Sequence, residues 1–124
     1  MTTTSTATAR RQSLRQIAQE VGVLIRRVRR VIGDRARAVH PDLQPSSYLM
    51  LAHLAETGAV RASALVEDFG IDKGAVSRQA QHLVDLGLLT RSQDPDDGRA
   101  TLLAVSDDAR SRLDRVRRAR SERF

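Results

Sequence analysis

The sequence contains no cysteine and no tryptophan, and only three of its 124 residues are aromatic. Without cysteine, disulfides, thiolate zinc sites and thiol redox sensing are excluded. The core is therefore expected to consist of Leu, Val, Ile and Ala. No apolar run approaches the roughly 20 residues that a membrane-spanning helix needs, and the polar start MTTTSTATARR lacks the apolar segment of a signal peptide. We expect a soluble cytoplasmic protein.

Lysine is also scarce, because a single Lys73 stands against 20 arginines in a chain of formal net charge +6. A basic balance is typical of proteins that bind nucleic acid or another acidic surface. The charge is uneven, however, since residues 60–105 carry five cations and seven acids, a net charge of −2. If the middle of the chain binds DNA, it does so through a few specifically positioned cationic side chains and not through a high overall positive charge.

Residues 12–39 have the periodicity of one long amphipathic helix, because apolar residues recur at intervals of three and four. We call these residues the apolar stripe: Leu14, Ile17, Ala18, Val21, Leu24, Ile25, Val28 and Val31. Pro41 is expected to end the helix, since the residue before a proline disfavours the helical conformation. A helix this long usually pairs with another chain or with another long helix, and we expect it to take part in dimerisation. Residues 1–11 are expected to form a flexible polar tail.

The remainder of the chain predicts short helices followed by a β-hairpin. Its helices are expected at about 46–57, 62–69 and 73–86 and after the cap residue Ser106, with strands at 88–91 and 101–105 and Val60 as a short edge strand. The segment DPDDGR between the two strands is dense in turn-forming residues. Asp72 is a good N-cap for the helix that starts at Lys73.

Two short helices joined by a tight turn and followed by a hairpin make a winged helix-turn-helix. The second helix of such a pair fits the major groove of DNA, which is about 12 Å wide, and the first helix braces it. The hairpin tip reaches the backbone or the minor groove, where a narrow groove attracts arginine. Arg99 is the cation of this tip, and Asp97 is placed to orient it by a charge-assisted hydrogen bond. The expected fold class is mainly α with a small β-hairpin wing, a winged helix-turn-helix flanked by long N-terminal and short C-terminal dimerisation helices.

Three motifs resemble those of the MarR family of bacterial transcription regulators. They are VSR at residues 76–78, GLLTR at residues 87–91 and the wing segment from Asp94 to Arg99. The resemblance covers roughly residues 12–118. It implies one MarR-like domain over residues 12–124, with N-terminal helices at 12–57, the winged helix-turn-helix at 58–106 and a C-terminal helix at 107–124.

The resemblance also implies a function and a set of contacts. The function is that of a homodimeric, sequence-specific DNA-binding regulator on a pseudo-palindromic operator, most often a repressor released by a small-molecule effector. The residues expected to face DNA are Lys73, Gly74, Ala75, Ser77, Arg78 and Gln81. Arg61 and Ser63, near the start of the bracing helix, are expected to touch phosphates, and Arg99 is expected to enter the minor groove.

Two features depart from the family pattern. Gly98 stands where the family often has a second arginine, which implies a weaker grip by the wing. Family members usually continue through a longer fifth helix and a sixth, which interlock with the first helix across the dimer, whereas the last helix predicted here is short and rich in arginine.

Simpler interpretations remain open for each of these residues. Arg78 and Arg99 can be solvated, and Tyr48 is more readily explained as a core residue than as a ligand contact. The run RRVRR at residues 26–30 is more typical of the solvent-exposed face of an amphipathic helix than of a nucleic-acid-binding surface. The alternative function is a winged-helix protein-interaction module that pairs with a related regulator and does not itself bind DNA, which the net charge of −2 on residues 60–105 favours.

The sequence offers no sign of catalysis or of a cofactor. No nucleophile and base stand in a recognisable pattern, and the three histidines do not have the spacing of metal ligands. We therefore expect no enzyme, no metal site and no cofactor.

Overall fold

The computed structural model describes the backbone of residues 2–122 and the side chains of residues 6–120. The elements follow one another as helix α1 (Thr2–Val39), helix α2 (Pro45–Thr57), strand β1 (Val60–Arg61), helix α3 (Ala62–Phe69), helix α4 (Lys73–Asp85), strands β2 (Leu89–Gln93) and β3 (Thr101–Val105), and helix α5 (Asp107–Glu122). The chain divides into two compact units between Val31 and Ile32. The mainly α fold with a small antiparallel sheet confirms the predicted class.

The first unit is helical from Thr2, which corrects the prediction of a flexible tail over residues 1–11. The threonines that suggested a tail have modest helix propensity, but no Gly or Pro interrupts the chain before Gly22. Met1, the remaining residue of that tail, lies outside the described residues. The apolar stripe of this unit is exposed: Leu14 and Leu24, for example, are 66% and 60% accessible.

The end of α1 and the start of α2 follow from proline positions. The last residue of α1 is Val39, two residues before Pro41, as predicted. Pro45 occupies the first turn of α2, where its missing N–H costs nothing, and Gln44 is the N-cap. Arg112 of α5 donates from Nη1 to the Val39 carbonyl at 2.9 Å, so this carbonyl at the end of α1 has a cationic partner.

The core of the second unit lies between α2, α3, α4 and the sheet. Its largest fully buried side chains include Met50, Leu51, Leu54, Leu65, Val76, Leu83, Leu88 and Leu103. Burying one such side chain contributes about 1.5–3 kcal/mol relative to leaving it exposed. Tyr48 is also buried, as predicted, and Leu113 and Val116 of α5 pack against this core. Aliphatic side chains thus supply the core of a chain with few aromatics.

The sheet has three antiparallel strands in the order β1-β3-β2. In β3, Leu103 pairs with Arg91 of β2 and with Val60 of β1. The edge strand predicted at Val60 is therefore present, and it joins the start of α3 to the hairpin. We call the segment from Leu89 to Val105 the wing. Within the described residues, no helix has both the length and the apolar character needed to cross a bilayer.

Candidate nucleic-acid interface

Helix α4 begins with a well-formed cap. The Asp72 carboxylate accepts a hydrogen bond from the Ala75 N–H at 2.6 Å, which satisfies one of the free donors of the first turn. The helix ends where Gly87 takes φ +74° and the Leu88 N–H reaches back to the Leu83 carbonyl at 2.9 Å. This closing motif favours glycine, because a side chain at positive φ is strained.

The polar face of α4 is open to solvent. Lys73, Gly74, Ser77 and Arg78 are exposed, whereas Ala75 is only half-buried, between this face and the core. On the opposite side, Val76, Ala80 and Leu83 are buried. Burying one side of α4 leaves its polar side available to a partner.

Arg78 lies back along α4 over Gly74. A Cβ built on Gly74 would be 3.2 Å from Nη1 of Arg78 and 3.3 Å from Oδ1 of Asp72. Such contacts are tighter than ordinary van der Waals packing, so a larger residue at position 74 would displace the arginine or the cap. Gly74 therefore leaves room for both groups at the start of α4.

A cleft of about 530 Å³ opens between α3, α4 and the sheet. We call this space the cleft; it is lined by Ala62, Ser63, Val66, Glu67, Lys73, Val76, Ser77, Ala80, Arg91, Thr101 and Leu103. Its lining is largely apolar, and it also contains two cations, Lys73 and Arg91, and one acid, Glu67. Of the residues predicted to face DNA, Ser63, Lys73 and Ser77 are brought together here. Gly74, Arg78 and Gln81 are not among the lining residues.

Gln81 is engaged within the protein. Its Oε1 accepts from Nη1 of Arg91 at 2.6 Å, and its Nε2 donates to Oδ1 of Asp85 at 2.7 Å. Both ends of the amide are thus hydrogen-bonded, and all three residues are exposed. Arg91, on β2, is thereby tied to α4.

The wing tip is a short loop closed by four hydrogen bonds. The Asp94 N–H donates to the Ala100 carbonyl at 3.0 Å, and the Ala100 N–H donates to the Asp97 carbonyl at 2.9 Å. The Asp96 N–H donates to Oδ1 of Asp94 at 2.9 Å, and the Arg99 N–H donates to Oδ1 of Asp97 at 3.1 Å. Asp and Asn side chains favour turns because they accept from their own backbone in this way.

The contact predicted between Asp97 and Arg99 is corrected by this geometry. Asp97 bonds to the backbone N–H of Arg99 and not to its guanidinium. The reason is the two-residue separation, which brings the carboxylate to the amide within one turn and leaves the arginine side chain to extend from the tip. The Arg99 side chain is exposed.

Arg61 pairs with Asp94 across the base of the wing. Its Nε donates to Oδ2 of Asp94 at 2.6 Å, and the Asp94 side chain is only 9% exposed. The hydrogen bond from the Asp96 N–H, followed by the bond from Arg61, holds the pKa of the Asp94 carboxyl below its ordinary value, although partial burial opposes this. Asp94 is therefore ionised at neutral pH.

Two of these residues carry contacts to which the sequence prediction assigned no role. Asp94 belongs to the wing motif and Arg91 to the GLLTR motif, but the sequence predicts a role only for Asp97 and Arg99 of the wing. The signal for Asp94 was its place at the end of a strand, before a proline and two further acids. The partners of Asp94 and Arg91 lie 33 and 10 residues away, so nothing local indicated them.

The fold and the exposed polar face of α4 define a winged helix-turn-helix protein. A model described as the MarR family matches residues 42–100. An uncharacterised HTH-type transcriptional regulator of Bacillus subtilis, YxaD, is 35% identical over 108 residues, which span 87% of this chain and 74% of the relative. The chain belongs to the MarR family of transcriptional regulators, as its motifs indicated.

Solved structures have the same fold. A probable transcriptional regulator from Pseudomonas aeruginosa is 28% identical, with a TM-score of 0.64 over 82% of this chain and 77% of that one. A mutant MarR from E. coli, solved with operator DNA, is 20% identical, with a TM-score of 0.64 over 80% of this chain and 72% of that one. The family consists of transcriptional regulators and not of enzymes.

Proposed function

We propose that this chain is a sequence-specific double-stranded DNA-binding repressor that acts as a homodimer and responds to a small molecule. The observation that carries the proposal is the exposed face of α4, where Lys73, Ser77 and Arg78 extend from a capped helix, together with the exposed Arg99 at the wing tip. The operator complex of a mutant E. coli MarR, which shares this fold, supports it.

The contacts divide between two grooves. Helix α4 enters the major groove, where Ser77 and Arg78 meet base edges and Lys73 meets phosphate. Gly74 and Ala75 allow the first turn to approach the duplex closely. Arg99 enters the flanking minor groove, and Asp97 supports the loop that presents it.

The other three residues predicted to contact DNA are Ser63, Gln81 and Arg61, and two of them already have partners within the protein. Ser63 lies near the start of α3, in the position predicted for a phosphate contact. Gln81 uses one Nε2 hydrogen for Asp85 and one Oε1 lone pair for Arg91, so its second hydrogen and second lone pair are what it can offer to a base. Arg61, predicted to touch phosphate, has its Nε engaged by Asp94.

The homodimer is supported by the spacing of the apolar stripe. Six of its members, Leu14, Ile17, Val21, Leu24, Val28 and Val31, follow one another at alternating intervals of three and four, which is the heptad spacing of a helix that packs against a second helix. Each is at least 45% exposed, so a second copy would remove a continuous apolar surface from water. A two-fold dimer presents two copies of α4 to half-sites about one helical turn of DNA apart.

The cleft supports control by an effector. A largely apolar lining in which two cations, Lys73 and Arg91, outnumber one acid, Glu67, fits a small organic anion. Lys73 and Ser77 belong both to the cleft and to the proposed DNA-facing surface, so a ligand held there competes with the operator. Release from the operator is the behaviour expected of a ligand-responsive repressor. Thermal-shift screening of aromatic and aliphatic carboxylates tests this, and a hit that raises the unfolding temperature yet leaves DNA affinity unchanged contradicts the proposed competition.

We infer no catalytic role for the chain. Its relatives are regulators, and a protein that regulates transcription works in the compartment that holds the chromosome, which in bacteria is the cytoplasm.

The main experiment selects binding sites from random duplex DNA with the purified protein and measures the mass of the complex. The expected result is a two-fold symmetric site occupied by two copies of the chain, with an affinity that falls steeply with salt because phosphates are neutralised. An unenriched library, together with no binding at low salt, would refute the DNA-binding function.

A second candidate is a protein-interaction module that pairs with a related regulator without binding DNA. The net charge of −2 on residues 60–105 favours it, because such a surface attracts phosphate only through placed cations. Sedimentation separates the two: a monomer that binds no DNA favours the module, whereas a homodimer that shifts DNA favours the repressor.

A further inference from the structure

Arg61 and Asp94 connect two parts of the winged module that are far apart in sequence. Arg61 is the last residue of β1 and the N-cap of α3, whereas Asp94 directly follows β2. Because the strand order is β1-β3-β2, their bond spans the sheet from one edge strand to the other. The link therefore runs from the bracing helix to the base of the wing tip.

Asp94 joins this link to the tip itself. One carboxylate oxygen receives Arg61 Nε at 2.6 Å, and the other receives the Asp96 N–H at 2.9 Å. The Asp94 backbone also closes the loop through Ala100. Because this largely buried carboxylate bonds both to Arg61 and to the backbone of the wing tip, it restricts the loop that carries Arg99.

We propose that Arg61 and Asp94 form a positioning pair that fixes the wing tip relative to β1 and α3. Arg61 thus acts on DNA binding through Asp94, in place of the phosphate contact predicted from the sequence. This inference rests on the proposed DNA-binding function, and it concerns a residue pair that touches no base.

The direction in which one substitution changes DNA affinity distinguishes a positioning role from a purely electrostatic one. Asp94→Asn removes a negative charge close to the DNA-facing surface, so electrostatics alone predicts tighter binding. Positioning predicts weaker binding, because the amide no longer attracts the guanidinium as a charge while it still accepts from the Asp96 N–H. Asp96→Asn is the control, since it removes the same charge from the same loop, two residues away, without removing a bond to Arg61.

The test measures affinity for a selected operator duplex by fluorescence anisotropy at several salt concentrations. Asp94→Asn is expected to weaken binding by about 3- to 10-fold, in the range of coupling between neighbouring residues, and Asp96→Asn to leave it unchanged or tighten it. In an Arg99→Ala background, Asp94→Asn is expected to weaken binding no further, and to leave it unchanged or tighten it as Asp96→Asn does, because the group that Asp94 positions is gone. For Arg61→Gln, the salt dependence is expected to keep its slope, whereas loss of a phosphate contact would lower the slope by about 0.9.

A readout without DNA separates failure of this inference from failure of the proposed function. In the free protein, Arg61→Gln is expected to speed hydrogen exchange at the amides of residues 96–100, although Arg61 bonds to none of them. Unchanged exchange, or tighter operator binding by Asp94→Asn, overturns the positioning pair. If the wild type binds no DNA while exchange responds as expected, the proposed function fails and the wing coupling stands.

Discussion

Replacing Leu24 by Ala is expected to weaken the homodimer without unfolding the second unit. Leu24 is 60% exposed, and this fraction is what a second copy can remove from water. Full burial of a leucine contributes about 1.5–3 kcal/mol, so the loss on truncation is about 1 kcal/mol per protomer once the retained Ala Cβ is allowed for. The side chain occurs twice in a two-fold dimer, so the loss is about 2 kcal/mol, or roughly 30-fold in the dimer dissociation constant.

Sedimentation equilibrium of the wild type and the variant measures this constant directly. Val23→Ala is the matched control: Val23 is also exposed on α1 but lies off the heptad positions, so its truncation is expected to change the constant little. The reasoning is refuted if Leu24→Ala and Val23→Ala dimerise equally well, or if the wild type is monomeric at the concentrations tested. Operator affinity is expected to fall together with dimerisation, because two half-sites need two copies of α4.

The other predictions concern α4 and the wing. Arg78→Ala is expected to relax base preference at one position of the selected site by about 1–3 kcal/mol, as measured by competition with single-base variants of the site. The control Arg110→Ala removes the same charge from α5 and is expected to leave base preference unchanged. Equal preference in the two variants would argue against a base contact by Arg78. Asp72→Ala is expected to lower the free energy of unfolding by about 1 kcal/mol through loss of the cap, and a thermal melt that matches the wild type would contradict the role of that bond. The lowered pKa of Asp94 means that its stabilising contribution is fully present above the ordinary value of 3.8 and is lost as the pH falls below it. Urea unfolding of the wild type and Asp94→Asn is therefore expected to differ by the same amount at pH 5 and pH 7, and a difference that changes between those two values would contradict the assignment.

Local patterns identified the elements that local interactions determine. The helix from Ala62 to Phe69 and the strand from Thr101 to Val105 lie where the sequence predicted them, because apolar periodicity and the flanking glycine and turn residues act within a few positions. The error at the N-terminus has the same origin: modest propensity over residues 2–11 suggested a tail, yet no helix breaker interrupts the run.

Local sequence patterns could not predict contacts between residues that are far apart in the chain. Nothing near Arg61 points to a carboxylate 33 residues later. Arg112 of α5 bonds to Asp108 four residues away, as local spacing allows, but also to the Val39 carbonyl at the end of α1, which no local pattern indicates. Asp97 shows the limit on a smaller scale, because the sequence indicates a partner two residues away but not whether the carboxylate meets the guanidinium or the amide.

The sequence by itself determined that this chain is a winged helix-turn-helix regulator of the MarR family, because the VSR, GLLTR and wing motifs are each short and follow one another along the chain in a fixed order. Only the tertiary structure decided which polar groups are occupied within the protein and which remain open to a partner. It engages Gln81 with Arg91 and Asp85, pairs Arg61 with Asp94 and leaves Lys73, Ser77 and Arg78 exposed. The physical reason is that a side chain bonds to the nearest compatible group in space, and packing of the sheet against α3 and α4 sets that neighbour.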